Sequence, residues 1–423
     1  MNARRIAIAL GISLSLLGGS TAAAQDATPA TGGPPPLPEG CGVIASGLVN
    51  PRYVAVADDG AIYISEAGNG GDEIVAPPAD PSATPGATPV EGEGAGEPAS
   101  TRGFTGQVTM IAPDGTQSVV ATGLPSYSMG GVEVTGPAGI TVANGQILLA
   151  VGGAGPATAF TEALPNENSV VSIDPATGEV TLLADIGAHE RANNPDGFNI
   201  DSNLYGIAVG DDGTIYVNDA GGNATYMVPA GGGEPQVVTV HAGLPLPEGM
   251  EAPPGGNPNR AGAAELDPVP TDVEAIADGN LLVGLLSGGP FPPGAAKVVQ
   301  VAVADGAVSD VATGLTMVVG LAVGPDNQLY ATQISTNFLG EMPAPGNVVR
   351  LQADGTQEIV VDGLVLPNGI AFDQAGNLLV VTNAVSIGGP TGQLLSCAGV
   401  TTSAEAPAAE VVVTLNDVFF RSW

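Results

Sequence analysis

Short apolar runs separated by tight turns recur along most of the chain. Each copy has a short apolar run, a turn rich in Asp, Asn and Gly, and a second apolar run that ends in polar or glycine residues. Because Asp-Gly and Asn-Gly tolerate positive φ angles, this pattern predicts a β-hairpin. Six such hairpins occur, at residues 50–65, 136–151, 204–218, 269–285, 317–332 and 366–382.

A second pair of apolar runs follows each of the first five hairpins, so that one repeat contains four strands. The turn residues Gly279, Asn327 and Gly376 mark the last three repeats and stand 48 and 49 residues apart. A period of roughly 40–50 residues for four strands is typical of a β-propeller blade. The sequence therefore predicts an all-β fold, a six-bladed propeller with four-stranded blades.

The sixth repeat lacks a fourth strand. Its third strand is predicted at Gly392 to Cys397, and no clear turn and strand follow it. The segment 42–48 near the N-terminus resembles the fourth strands at 119–124 and 311–315. We therefore expect the N-terminal strand to complete the C-terminal blade, which closes the ring without an unpaired seam.

The two cysteines test this closure. Alignment of the blades puts Cys397 at the position of Ile111, just before the outer turn, and Cys41 at that of Gln117, just after it. Residues at these two positions face each other on adjacent strands. Since disulfides persist in exported proteins, a Cys41–Cys397 bond is expected, with two free thiols as the alternative.

Composition and charge limit the partners. Gly and Pro contribute 63 and 37 of 423 residues, which suits many turns and disfavours long helices. Asp and Glu number 43 against 9 Lys and Arg, for a net charge of −34. This imbalance argues against nucleic acid and anionic membrane surfaces as partners. We expect a monomer whose partner is a small molecule or an extracytoplasmic protein.

The N-terminus has the three parts of a secretory signal peptide. Arg4 and Arg5 precede the apolar run 6–17, and an Ala-x-Ala site predicts cleavage near Ala24. We therefore divide the chain into a signal peptide (1–24), a flexible linker (25–40), the propeller (41–399) and a C-terminal tail (400–423). Residues 73–103, rich in Pro, Ala, Gly and Glu, are expected to form a disordered insertion. A secreted or extracytoplasmic location follows, with no membrane span after cleavage.

Several phrases resemble the bacterial ScyD/ScyE family of exported proteins with NHL-like propeller repeats. They are EAGNGGD at 66–72, NNPDG at 193–197, DSNLYG at 201–206, DAGGN at 219–223 and GPFPPGAA at 289–296. The resemblance covers most of residues 41–399. It implies an exported propeller and leaves the ligand undefined.

Carboxylate and amide side chains gather on the predicted face opposite the Asp-Gly turns. The candidate ligand-binding residues at the mouth of the central channel are Glu66, Asp72, Asp196, Asp201, Asn203, Tyr205, Asp219 and Asn223. Ca²⁺ takes six to eight oxygen ligands, so such a set could bind it. Each Asp or Asn, taken singly, is also typical of a turn cap. The segment 196–205 departs most from the bare repeat and is the leading candidate for a functional loop.

A calcium-dependent hydrolase is the alternative function. The phrase NGIAF at 368–372 is similar to one in calcium-dependent lactonases of the gluconolactonase type, in which the Asn holds the metal. The resemblance implies Asn368 and Asp272 as metal ligands, to which we add Asp201. However, Arg52 follows Asn50-Pro51 where those enzymes place a metal-binding Glu. We therefore favour a non-catalytic binding or scaffold propeller.

Other catalytic chemistry has little support in the sequence. There is no G-x-S-x-G motif, and both cysteines are expected to be bridged. His189 is expected in an irregular connection, with no second His nearby for a zinc site. Lys297, the sole lysine, begins a repeated outer strand, which indicates a structural role.

Overall fold

Antiparallel strands joined by tight turns make up nearly all of the regular structure in the computed structural model. It describes residues 36–75, 99–130, 133–153, 162–252, 254–276, 279–339, 344–352, 355–385 and 390–401. Six sheets, one for each predicted repeat, form the blades. Their innermost strands contact one another in sequence and complete a circle. The fold is a six-bladed β-propeller, and the prediction of its class is confirmed.

The strands are numbered in chain order. The blades are numbered in the order in which their innermost strands occur along the chain. Blade 1 contains β2 (Pro51–Val56), β3 (Ile62–Glu66), β5 (Thr101–Ile111) and β6 (Gln117–Met129). Blade 2 contains β8 (Pro137–Ala143), β9 (Gln146–Val151), β10 (Ser169–Ile173) and β11 (Val180–Asp185). Blade 3 contains β12 (Leu204–Val209), β13 (Ile215–Asp219), β14 (Ala224–Val228) and β15 (Gln236–Val240).

The other three blades follow the same plan. Blade 4 contains β18 (Pro270–Ile276), β19 (Asn280–Leu285), β20 (Ala296–Ala302) and β21 (Val308–Leu315). Blade 5 contains β22 (Val318–Val323), β23 (Leu329–Gln333), β24 (Gly346–Leu351) and β25 (Gln357–Leu364). Blade 6 contains β26 (Ile370–Phe372), β27 (Leu378–Thr382), β28 (Gly392–Cys397) and β1 (Cys41–Leu48).

Several short elements decorate the blades. They are β4 (Glu73–Ile74), which pairs with β5; β7 (Glu133–Thr135), which pairs with β6; the helix α1 (Ile186–Asn193); and a hairpin of β16 (Leu244–Pro245) and β17 (Glu265–Leu266), with a 3₁₀ turn (Pro258–Arg260) between its strands.

The inner turns form where the sequence places Asp, Asn and Gly. Asn144 and Asn327 adopt φ angles of 52° and 57°, in the left-handed region that Asn tolerates. In the Asp-Asp-Gly turn of blade 3, Asp212 Oδ1 accepts a hydrogen bond of 2.9 Å from the Thr214 amide. These side-chain bonds replace ladder bonds that the turn cannot make. Local chemistry therefore fixes the hairpins.

Six clusters of buried apolar residues lie between neighbouring blades, one at each junction. Tyr226 and Ile215 of blade 3, for example, pack with Val170 of blade 2, and Tyr330 of blade 5 packs with Leu378 of blade 6. The cluster between blades 1 and 2 extends into the centre of the ring. Each sheet thus buries both faces against its neighbours, which explains why its central strands are apolar on both sides.

The ring closes between β1 and β28. Cys41 pairs directly with Cys397 in this antiparallel ladder, and the two form a disulfide bond. The predictions of N-terminal closure and of the disulfide are confirmed. The bond links residues 356 positions apart, at the end of blade 6 where the other blades have their outer turn.

The connection after β11 differs from the prediction. His189 lies in α1 and not in an irregular segment. Asp185 caps the helix by accepting a 2.7 Å hydrogen bond from the Ala188 amide, and Asn194 ends it in a left-handed conformation. Strong caps at both ends stabilise this short helix, although its sequence carries little apolar periodicity.

Several predicted segments lie partly or wholly outside the described residues. These are the signal peptide, residues 25–35 of the linker, residues 76–98 of the insertion and residues 402–423 of the tail. The described ends of the insertion meet, since β4 pairs with β5 and Glu73 forms a 2.7 Å ion pair with Arg102. In the described part of the chain, no helix has the length and hydropathy needed to cross a bilayer.

We expect the disulfide to be a major contribution to stability. Replacement of both Cys41 and Cys397 by Ala should lower the free energy of unfolding by up to about 5 to 6 kcal/mol, because the unfolded chain regains the entropy of a 356-residue loop. Urea denaturation of the oxidised protein and the variant measures the difference. Ser396→Ala, next to Cys397, is the matched control. An unchanged urea midpoint in the double variant would contradict the expectation.

Candidate functional site

Two tyrosines fill the centre of the ring. Tyr53 on β2 and Tyr205 on β12 pack edge to face with their ring centroids 5.5 Å apart. The Tyr53 hydroxyl donates to the carbonyl of Val319 on β22 at 2.5 Å, and the Asn368 amide donates to the Tyr205 hydroxyl at 2.7 Å. Groups from blades 1, 3, 5 and 6 therefore meet at the axis.

A pocket lies beside Tyr205 and is lined by residues in or next to blades 1, 2, 3, 5 and 6. Its accessible space is about 20 Å³, which is room for about one water molecule, and it opens to solvent. Its walls are formed by Arg52, Glu133, Val134, Thr135, Gly136, Ala138, Asn203, Tyr205, Ile334 and Val385. Most of this lining is apolar, with a few polar groups that converge, as is usual for small-molecule sites. We call it the mouth pocket.

Arg52 and Glu133 are the charged residues of the mouth pocket. Arg52 is 6% exposed and Glu133 is 4% exposed. An Arg52 Nη2 hydrogen donates to the Val134 carbonyl, which holds the guanidinium against β7. Glu133 Oε2 is buried and has no hydrogen-bond partner among the described residues. An unpaired carboxylate in such a place is costly, which makes it a candidate for ligand contact.

The electrostatics of Glu133 reflect its surroundings. Burial raises the pKa of Glu133 well above its usual range, Arg52 opposes this rise, and Asp201 adds to it. The same Arg52 charge lowers the pKa of Tyr205, which burial raises more strongly. Arg52 therefore interacts electrostatically with both Glu133 and Tyr205, and these residues come from blades 1 and 3.

The predicted residues Asn203 and Tyr205 lie in the wall of the mouth pocket. Asn203 Nδ2 is buried and lacks an acceptor within the described chain, so it is available to a ligand. Its backbone amide donates to Asp219 Oδ1 at 2.8 Å, which fixes the loop that carries it. The loop 201–205 thus presents two polar side chains to the pocket.

Asp219 organises this loop from the end of β13. Its Oδ1 accepts hydrogen bonds from the backbone amides of Asn203, Gly221 and Gly222 at 2.8 to 3.1 Å. Its Oδ2 accepts from the Ser202 hydroxyl at 2.6 Å. With both oxygens engaged inside the protein, Asp219 has a structural part in the loop.

Asp201 and the residues around it form an acidic cluster outside the mouth pocket. Asp201 Oδ1 is buried and has no partner in the described structure. Burial raises the pKa of Asp201 to about 7, with a further contribution from Asp219 and smaller ones from Asp196 and Asp267. Nearby, burial and the charge of Asp219 raise the pKa of Glu190, on α1, to about 8.

The remaining predicted ligand-binding residues are more scattered. Asn223 donates to Asp196 Oδ2 at 3.1 Å and so belongs beside the acidic cluster. Glu66 is fully buried in blade 1, where it accepts hydrogen bonds from the Val49 amide, Gln107 and Thr109. Asp72 is exposed. Glu66 is therefore engaged within its own blade and is poorly placed to contact a ligand.

The predicted metal ligands have different surroundings. Asp272 accepts hydrogen bonds from the Leu321 and Val273 amides at 2.7 and 2.9 Å, one on each carboxylate oxygen. Asn368 has a buried Oδ1 free of partners in the described region. The charges that act most on Asp201 belong to the acidic cluster and not to Asp272. Within the described residues, no three His, Cys, Asp or Glu side chains are placed to hold a metal ion.

Sequence reasoning missed Glu133, and it considered Arg52 only as a departure from the lactonase pattern. A signal for Glu133 was present, because it is a lone charge between valines in Gly131-Val132-Glu133-Val134-Thr135, just before blade 2. A buried acid among residues that favour β-strands needs a hydrogen-bond partner or a ligand. Arg52 gave a similar signal as the single charge in an apolar inner strand.

The comparisons with known proteins concern the fold. No protein-family model and no curated protein sequence matches the chain. It is similar to a gluconolactonase structure from Xanthomonas campestris, with 14% identity, a TM-score of 0.48, and coverage of 84% of this chain and 89% of that one. It is also similar to virginiamycin B lyase from Staphylococcus aureus, with 14% identity, a TM-score of 0.41, and coverage of 84% and 97%.

At this level of identity, neither similarity assigns an activity to this chain. Membership of the ScyD/ScyE family stays a prediction. The chain is a β-propeller, and its function must be argued from its own residues.

The acidic cluster predicts a pH-dependent stability. The folded pKa of Asp201, about 7, exceeds the ordinary value near 3.9, so the folded protein binds more protons than the unfolded chain between these values. The free energy of unfolding should therefore fall as pH rises from about 4 to 7, by at most about 1.4 kcal/mol per pH unit for this one group.

Urea denaturation at several pH values tests this expectation. Asp201→Asn should flatten the fall and raise stability at pH 8 relative to the unmodified protein, because the amide carries no charge. Asp211→Asn, at an exposed turn of blade 3, is the matched control. A variant with the same pH slope as the parent would refute the assignment.

Proposed function

We propose that this protein is an exported, non-catalytic propeller that binds a small polar ligand in the mouth pocket. The observation that carries the proposal is that two buried polar side chains, Arg52 and Glu133, line the wall of one pocket. Folded proteins seldom leave a buried carboxylate without a hydrogen bond unless the site has a use. Asn203 Nδ2 adds an unused donor to the same wall.

The described residues give little support to catalysis by a cysteine or a histidine. Both cysteines are bridged. His241 is buried and contacts the Thr225 hydroxyl at 2.9 Å, and burial lowers its pKa to about 4. His189 lies 3.5 Å from Glu234, away from the mouth pocket lining. No described histidine or free thiol therefore faces the pocket.

A calcium-dependent lactonase is less well supported by the contacts. Both oxygens of Asp272 already accept backbone hydrogen bonds, and of the predicted ligands Asn368 keeps a buried Oδ1 without a partner in the described region. Arg52 brings a fixed positive charge into the same region, since it acts on both Tyr53 and Tyr205. A cationic guanidinium opposes the binding of a divalent cation beside it. We therefore prefer ligand binding to metal-assisted hydrolysis.

The disulfide bond supports the proposal that the protein is exported. A bond between Cys41 and Cys397 that closes the ring is typical of proteins in oxidising compartments. The predicted signal peptide supplies the route, and the acidic surface favours solubility.

A change at the rim of the mouth pocket tests the binding function. Val385 is half-buried in the pocket wall, so Val385→Trp should fill the opening and reduce binding at least tenfold. Thermal-shift screening of amino acids, hydroxy acids and sugars, followed by calorimetric titration, measures binding.

Val308→Trp, on the exposed outer strand of blade 4, is the matched control and should bind as the parent does. If no compound in the three classes binds, or if every binder is held equally well by the Val385→Trp variant, the mouth pocket is not the site.

A further inference from the structure

Three Asn-Gly pairs occur in the chain, at residues 69–70, 144–145 and 368–369. In such a pair the backbone amide nitrogen of the glycine can attack the side-chain carbonyl carbon of the asparagine, because glycine has no side chain to hinder the approach. The attack needs a free amide, a backbone that can bring the two atoms together, and access for water. The fold gives the three pairs very different surroundings.

The pair at 144–145 forms the inner turn of blade 2. Ala143 at the end of β8 pairs with Gln146 at the start of β9, so Asn144 and Gly145 are the two residues of the turn. Both have positive φ angles, 52° and 74°, and both are exposed. The Gly145 amide makes no hydrogen bond within the described chain.

Space around this turn is also open. Apart from its two chain neighbours, no heavy atom lies within 4 Å of the position that a Cβ on Gly145 would occupy. The turn therefore has a free nucleophile, contact with solvent and room for the backbone to move.

The pair at 69–70 is held in place, although Asn69 is exposed. The Gly70 amide donates to Ser126 Oγ at 2.8 Å, and the Gly70 carbonyl accepts from Thr105 Oγ1 at 2.6 Å. The position of a Cβ on Gly70 lies only 2.5 Å from Thr101 Oγ1. Hydrogen bonds and close packing therefore oppose the movement that brings the two reacting atoms together.

The pair at 368–369 is buried at the axis. Asn368 is 0% exposed, and its side-chain amide donates to the Tyr205 hydroxyl at 2.7 Å. The Gly369 amide donates to the Arg52 carbonyl at 2.8 Å. Both reacting groups are engaged here, and water has no access to the side chain.

We propose that Asn144 is a modification site, at which the side-chain amide is lost spontaneously. The Gly145 nitrogen gives its proton to solvent and forms a bond to Asn144 Cγ, and the side-chain nitrogen takes up a proton and leaves as ammonia. The product is a cyclic succinimide. Solvent water then adds to one of its two carbonyl carbons, and the ring opens to aspartate or to isoaspartate.

This modification changes the turn and is independent of the proposed function. Each product adds a negative charge, and isoaspartate adds one carbon atom to the backbone of a two-residue turn whose geometry is narrowly defined. Asn144 and Gly145 do not line the mouth pocket, so ligand binding there neither supports nor contradicts the modification.

Incubation of the full, oxidised protein at pH 8, followed by peptide mapping with mass spectrometry, tests the proposal. The deamidated fraction should grow at least tenfold faster at Asn144 than at Asn69 or Asn368. Labelling by an isoaspartyl methyltransferase should identify isoaspartate in the same peptide. Equal rates at the three sites, or no conversion of Asn144, would overturn the proposal.

The same incubation in urea separates the fold from the local sequence. Unfolding removes the hydrogen bonds of Gly70 and Gly369, so the three sites should then react at similar rates. A tenfold excess at Asn144 that persists in urea would show that the fold does not select this site.

Asn144→Gly is the matched variant, because glycine tolerates the positive φ angle of the turn. It should abolish isoaspartate labelling of the peptide that contains the blade 2 turn and leave the slow rates at the other two pairs unchanged. Labelling that is as strong in this variant as in the parent would place the modification elsewhere.

Discussion

Every blade of this protein depends on its two neighbours for burial. The central strands are apolar on both faces, so an isolated blade would expose one large apolar surface to water. Only a closed ring gives each sheet two partners, and six apolar clusters between the blades are the result. The pairing of β1 with β28 completes the ring, and the disulfide Cys41–Cys397 joins these two strands covalently.

Closure of the ring also determines where a ligand can bind. Six inner strands converge on a narrow axis, and large side chains must fill it to avoid a void. Tyr53 and Tyr205 occupy this space, with their hydroxyl groups bonded to other blades. The pocket lies beside Tyr205, and the added strand β7 brings Glu133 into the same wall as Arg52.

The buried polar groups of the candidate site differ in how fully they are hydrogen-bonded. Asp219 and Glu66 have full sets of internal hydrogen bonds, and they hold loops or strands in place. Glu133 and Asn203 have unsatisfied atoms that line an open cavity. The distinction matters because both kinds are acids or amides at the channel mouth, and residue type alone cannot separate a structural turn from a binding group.

The sequence by itself determined the repeat, the hairpins and the disulfide, because strand alternation and Asp-Gly turns are local and each blade repeats them. It also indicated the loop 201–205, part of which lines the pocket. The sequence did not predict three features, because none of them follows the repeat. These are the caps of α1, the β16–β17 hairpin and the pairing of β7. Only the tertiary structure decided that Arg52 and Glu133 share a cavity. Their positions are far apart in the chain, and both side chains line the pocket because β7 pairs with β6 and its Val134 carbonyl accepts a hydrogen bond from Arg52.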